Sequence, residues 1–139
     1  MIGVTRQERP GTAQDPNCGQ SRLPRVEPSC CHVTVVLNGQ IVADTKRALR
    51  VVEDGVPPVY YIPPGDFRRT CFRPTSEETF CEWKGIARHF DIVVGDRVAS
   101  DAAWSFPEPS CRYAVLRDHV AVRPERVDGV FIDDERLGS

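Results

Sequence analysis

The densest concentration of reactive side chains in this sequence is Thr79-Phe80-Cys81-Glu82-Trp83-Lys84-Gly85. A thiol three residues from an ammonium is a pattern that lowers a cysteine pKa, because Lys84 would stabilise the thiolate of Cys81. In an extended strand those two side chains lie on opposite faces, so the couple requires a turn or bulge, and Gly85 is the residue that permits one. The competing reading is structural: a buried cysteine, a packed Trp83 and a lysine whose stem snorkels along apolar surface. Tyr60-Tyr61-Ile62-Pro63-Pro64-Gly65-Asp66 is a second candidate. Its adjacent tyrosines fall on opposite faces of a strand, and Asp66 is either an acid or base or a turn cap. Asp101-Ala102-Ala103-Trp104-Ser105-Phe106-Pro107 is a third, with Trp104 as a flat apolar platform.

These segments must be positioned by strands. Val33–Leu37, Asn38-Gly39 and Gln40–Ala43 read as a hairpin, since Asn-Gly supplies the two positive-φ residues of a type I′ turn. Phe90–Val94 with Gly95-Asp96 and Arg97–Ala99, and Val130–Ile132 with Asp133-Asp134 and Glu135–Leu137, repeat the theme. Ala48–Val52 fits a strand or one helical turn. Val59–Ile62 is β-prone and stopped by prolines, which predicts an edge strand or one that runs out at a rim. His119–Val122 reads as a strand, and Cys111–Arg117 as a short helix with Ser110 as its N-cap. The fold expected is mainly β: one compact domain of antiparallel hairpins, a small sandwich, barrel or folded sheet, with one short helix. Residues 1–31 lack apolar periodicity and are expected to be a disordered tail, leaving 32–139 as the domain.

Composition removes several function classes. Charged residues make up 27% and the formal net charge is −2, which gives no basic surface for nucleic acid. No apolar run approaches the ~20 residues of a membrane span, and Arg6 to Arg9 lead into Pro10 and Gly11 rather than an export signal. A cytosolic location follows, in which the six cysteines are reduced thiols rather than a disulfide framework. Neither Cys-x-x-Cys nor His-x-x-x-His occurs, so no metal or other cofactor is expected from Cys30, Cys31 and His32, or from His89, His119, Cys71, Cys81 and Cys111. Phosphate-loop, dinucleotide and nucleophile-elbow motifs are absent too.

Taken together, Val36–Gly39 with Ala43-Asp44, Pro58–Pro64, Asp66, Thr79–Gly85, Ala102–Pro107 and Asp118–Ala121 resemble the bacterial family called domain of unknown function 427. The resemblance implies a compact, mostly β domain, and a nucleotidyltransferase label is attached to some members. That chemistry needs carboxylates holding divalent metal against phosphates, whereas the turn itself accounts for the pair Asp133-Asp134. The chain departs from the family pattern at Gly65, Thr70, His89-Phe90 and Val122-Arg123, which implies a less acidic, reshaped pocket. The leading functional expectation is a small organic ligand bound by Tyr61, Asp66, Cys81, Lys84 and Trp104. The alternatives are an enzyme using Lys84 or Cys81, tuned by Asp66 or Glu53, and an interaction module that self-associates through a β edge.

Overall fold

The computed structural model describes residues 23–137. Its strands are β1 (Arg25–Pro28), β2 (Val33–Leu37), β3 (Gln40–Thr45), β4 (Leu49–Val52), β5 (Val59–Ile62) and β6 (Phe72–Cys81). They continue with β7 (Gly85–Val94), β8 (Arg97–Ser105), β9 (Val120–Val122), β10 (Gly129–Ile132) and β11 (Glu135–Arg136). Two antiparallel sheets result, a seven-stranded one in the order β1-β4-β5-β9-β8-β7-β6 and a four-stranded one in the order β11-β10-β2-β3. Among the described residues no helix is long and apolar enough to cross a membrane.

Alternation along β2 shows which of its sides is buried. In β2, Val33, Val35 and Leu37 are sealed while Thr34 and Val36 between them are half-buried. They join Ile62, Phe72, Ile92, Ala103, Val120 and Val130 in one core shared by the two sheets, which defines the inner face of the large sheet. Its outer face carries a second cluster, Val51, Tyr61, Ala87, Phe106 and Ala121, covered by Tyr113 and Leu116. Tyr60 and Tyr61 divide between these two clusters, as a period of two demands.

The hairpins form at the turn residues that favour them. Asn38 and Gly39 have φ of 53° and 75°, and Asp133 and Asp134 have 50° and 73°, the left-handed pairs that a type I′ turn requires. Leu49–Val52 resolves as a strand.

Three expectations are corrected. Residues 25–28 are not tail: β1 pairs with β4, setting Val26 opposite Val51, and Tyr113 Oη donates to the Pro24 carbonyl at 2.9 Å. A four-residue strand offers too few alternations to register as periodic, and residues 1–22 lie outside the described ones. The segment Cys111–Leu116 is the short helix expected, formed as 3₁₀ and kinked at Tyr113, whose φ and ψ are −113° and 23°, but Ser110 does not cap it. The Tyr113 ring is buried in the outer-face cluster, and the Ser110 hydroxyl donates to the Trp83 carbonyl at 2.8 Å instead of capping. Finally, of the two placements expected for β5 the edge one is overturned, since the strand lies between β4 and β9. Its prolines follow the last ladder residue, so no hydrogen bond is lost.

Candidate functional site

Glu82-Trp83-Lys84 is a three-residue connection that joins β6 to β7, with Cys81 directly opposite Gly85. Gly85 has φ of 108°, so the bend that this segment needed is present. The turn folds Lys84 back until its side chain retains 8% exposure. The ammonium lies 3.7 Å from Glu53 Oε1 and 5.9 Å from the centre of the Phe106 ring. Half-buried Cys81 and Trp83 pack on the outer-face cluster with Tyr61 and Trp104. Trp104 Nε1 donates to Tyr61 Oη at 3.1 Å, and the two rings meet edge to face. Burial pushes the Tyr61 hydroxyl up to about 12, against the pull of the Trp104 hydrogen bond, with Cys81 and Glu53 adding to the rise. Tyr61, Cys81, Lys84, Trp104 and Glu53 are therefore gathered around one apolar cluster.

Asp66 stands apart from that group. Its carboxylate accepts from Thr45 Oγ1 at 2.7 Å and pairs with Arg47 at 3.1 Å, while its backbone joins the 63–68 loop to β3 through Asp44 and Pro63. The turn at Pro63-Pro64-Gly65 carries it away from the strand that holds Tyr61. The Thr45 hydrogen bond, reinforced by Arg47, holds its carboxyl below the usual range. A depressed carboxyl pKa stabilises the fold above the unfolded value and loses that contribution as pH falls through the lowered one. Asp66→Asn is accordingly expected to cost about 1 kcal/mol at pH 7. Urea unfolding at pH 7 and pH 3 checks this: the gap between the two proteins should narrow in acid, and a gap as wide at pH 3 as at pH 7 contradicts the assignment.

The largest cavity described lies elsewhere. It encloses about 320 Å³ and is lined by Pro64, Phe67, Arg69, Phe72, Pro74, Phe90, Ser105, Asp118 and Val120. The Phe67 and Phe72 rings lie 5.0 Å apart between centroids, tilted by 59°, and Phe90 and Val120 place the cavity on the inner face. Arg69 and Asp118 stand at it as exposed charges, and neither side chain makes a hydrogen bond or ion pair with another described residue. A second cavity of about 80 Å³ is bordered by Trp104 but otherwise apolar. Neither cavity is lined by Tyr61, Asp66, Cys81 or Lys84. Sequence reasoning missed Phe67, Arg69 and Phe72, although an aromatic-basic stretch directly after Pro63-Pro64-Gly65 was a readable signal, and it met Phe90 as a departure from the family pattern.

Among the described residues no group of three or more His, Cys, Asp or Glu is assembled for a metal ion. All five described cysteines are free. The site and the fold together define a two-sheet antiparallel β domain with an aromatic cavity on one face of its large sheet and a lysine-bearing turn against the other. The chain belongs to the family described as domain of unknown function 427 (DUF427), whose model matches residues 25–133. A search of curated proteins gives no match.

Proposed function

We propose that this domain binds a small organic ligand with an apolar ring and an acidic group, held in the cavity lined by Phe67, Phe72 and Phe90. The observation that carries this reading is the coincidence of about 320 Å³ of aromatic-walled space with Arg69 and Asp118, whose side chains pair with no other described residue. Binding sites are mostly apolar concavities with a few convergent polar groups, and this volume falls at the lower end of their usual range. Arg69 would take the ligand's carboxylate or phosphate through paired N–H donors. Asp118 and the Ser105 hydroxyl would take its donor groups, while Pro64 and Pro74 supply walls that lose little entropy on binding. The five free cysteines fit a reducing compartment such as the cytosol. An enzyme working through Lys84 is the second reading, supported by that ammonium's burial against Glu53. A buried ion pair is more often structural, so the cavity takes precedence.

Binding can be followed by chemical-shift perturbation with a panel of aromatic carboxylates and aryl phosphates. Arg69→Gln is expected to weaken the best of them by about 10-fold or more, the value of one charge-assisted hydrogen bond. Phe90→Trp, which fills the cavity, should abolish binding without unfolding the protein. Perturbations that survive Phe90→Trp would move the ligand to another site.

A further inference from the structure

On the outer face, across the sheet from the cavity, Thr79, His89 and Asp101 form a single hydrogen-bonded line. His89 Nε2 lies 3.0 Å from Thr79 Oγ1, and His89 Nδ1 lies 2.9 Å from Asp101 Oδ1. An ionised carboxylate only accepts, so Nδ1 carries the imidazole proton and Nε2 is left to accept from the threonine hydroxyl. We propose that Thr79 is an acyl-accepting nucleophile, with His89 as its general base and Asp101 as the group that orients the base, acting on small activated esters or thioesters.

The backbone is built to bring these three together. Between the pairs Pro74–Phe90 and Glu78–Arg88, β6 places Thr75, Ser76 and Glu77 opposite His89 alone. Between Phe90–Ala103 and Ile92–Ala99, β8 places Ser100, Asp101 and Ala102 opposite Asp91 alone. The strand carrying His89 is thus flanked by a bulge on each side, and bulges re-aim side chains that regular alternation would send elsewhere. Asp101 sits in the left-handed region with φ of 49°. Its amide donates to Asp91 Oδ1 at 2.9 Å, and its second carboxylate oxygen lies 3.8 Å from Arg123 Nε. Chiefly through the His89 hydrogen bond, with Arg123 assisting, its carboxyl stays below the usual range and is ionised at neutral pH.

Exposure runs in the order that nucleophilic catalysis needs. His89 is 5% exposed while the Thr79 end of the line is open to solvent. Because β6 is an edge strand, alternate backbone N–H groups beside Thr79 face outward and can donate to an acyl oxygen. In the reaction, the Thr79 Oγ–carbonyl carbon bond forms as the ester C–O or thioester C–S bond breaks. The hydroxyl proton passes to His89 Nε2 and then to the departing oxygen or sulfur. A water deprotonated by the same nitrogen cleaves the acyl-threonine, releasing the acid and restoring the hydroxyl.

The probe is an alkyl p-nitrophenyl phosphonate, which phosphonylates activated hydroxyls, releases p-nitrophenolate and does not turn over. One adduct is expected, mapped to Thr79 by peptide mass analysis, lost in Thr79→Val and kept in Thr79→Ser. Asp101→Asn should slow labelling by about 10²-fold, the usual scale of base catalysis. His89→Gln is expected to do the same, but His89 is buried, so the exposed Thr79 pair keeps the test independent of folding. Absence of an adduct at Thr79 in the folded protein would overturn the proposal. So would labelling whose rate is unchanged by Asp101→Asn, because a merely structural hydrogen-bond line would behave that way.

Discussion

Gly85→Ala is expected to lower the unfolding free energy by about 2–4 kcal/mol, combining backbone strain with a steric clash. Gly85 has φ of 108°, beyond the left-handed helical well that asparagine or aspartate tolerates. A Cβ at this position would also stand 3.3 Å from the Glu108 carbonyl oxygen and 3.7 Å from Pro109 Cα, both backbone atoms with little room to retreat. That neighbouring segment is tied to the same turn, since Ser110 N donates to the Lys84 carbonyl at 3.2 Å and Ser110 Oγ to the Trp83 carbonyl. Pushing the segment away weakens both bonds. Gly39→Ala is the matched control: φ there is 75° and nothing lies within 4 Å of an added Cβ, so only about 1–2 kcal/mol of left-handed strain applies. Chemical denaturation of the two variants should rank them in that order. Equal losses would show that the packing of residues 108–110 on the turn contributes nothing.

The elements legible in the sequence were those whose local chemistry and tertiary role agree. Asn38-Gly39 and Asp133-Asp134 announce their turns because few other residues accept positive φ twice in succession. What escaped was decided by distant partners. β6 runs through Arg73-Pro74-Thr75-Ser76-Glu77-Glu78, a polar stretch with a proline, and is tolerated as a strand because it lies at the sheet edge and bulges there. The placement of β5 beside β9 rests on Tyr61 meeting Ala121 and Ile62 meeting Val120, pairings some sixty residues apart that no local pattern encodes.

Site residues divide along the same line. Glu53 and Lys84 meet although thirty-one residues separate them, and chemical type alone suggested the pairing. Asp66 lies five residues from Tyr61, yet the intervening turn sends it to Thr45 and Arg47. Nearness in sequence misled there because two prolines and a glycine reverse the chain. The aromatic cavity draws on four separate stretches, so its volume exists only once β6, β7 and β8 are aligned.

Tyr61→Ala is expected to cost about 3–5 kcal/mol, because it removes a large aromatic side chain that is 2% exposed. The ring touches Trp104 at 6.3 Å and Phe106 at 6.4 Å between centroids, and both lose a packing partner. Truncation also leaves Trp104 Nε1 without its acceptor inside an apolar cluster, where an unsatisfied donor carries its own penalty. Tyr61→Phe isolates that last part: the rings stay packed, only the acceptor is lost, and about 1–2 kcal/mol should disappear. The pair of variants also separates two roles for Tyr61. A core residue gives the large loss in Tyr61→Ala, with ligand affinity in the Phe67–Phe90 cavity unchanged in Tyr61→Phe. A residue whose hydroxyl binds ligand gives the reverse, a stable Tyr61→Phe variant with impaired binding. Because β5 lies in the middle of the large sheet and presents Tyr61 on the face opposite that cavity, the first pattern is expected, by denaturant unfolding and by titration with the same aromatic carboxylates.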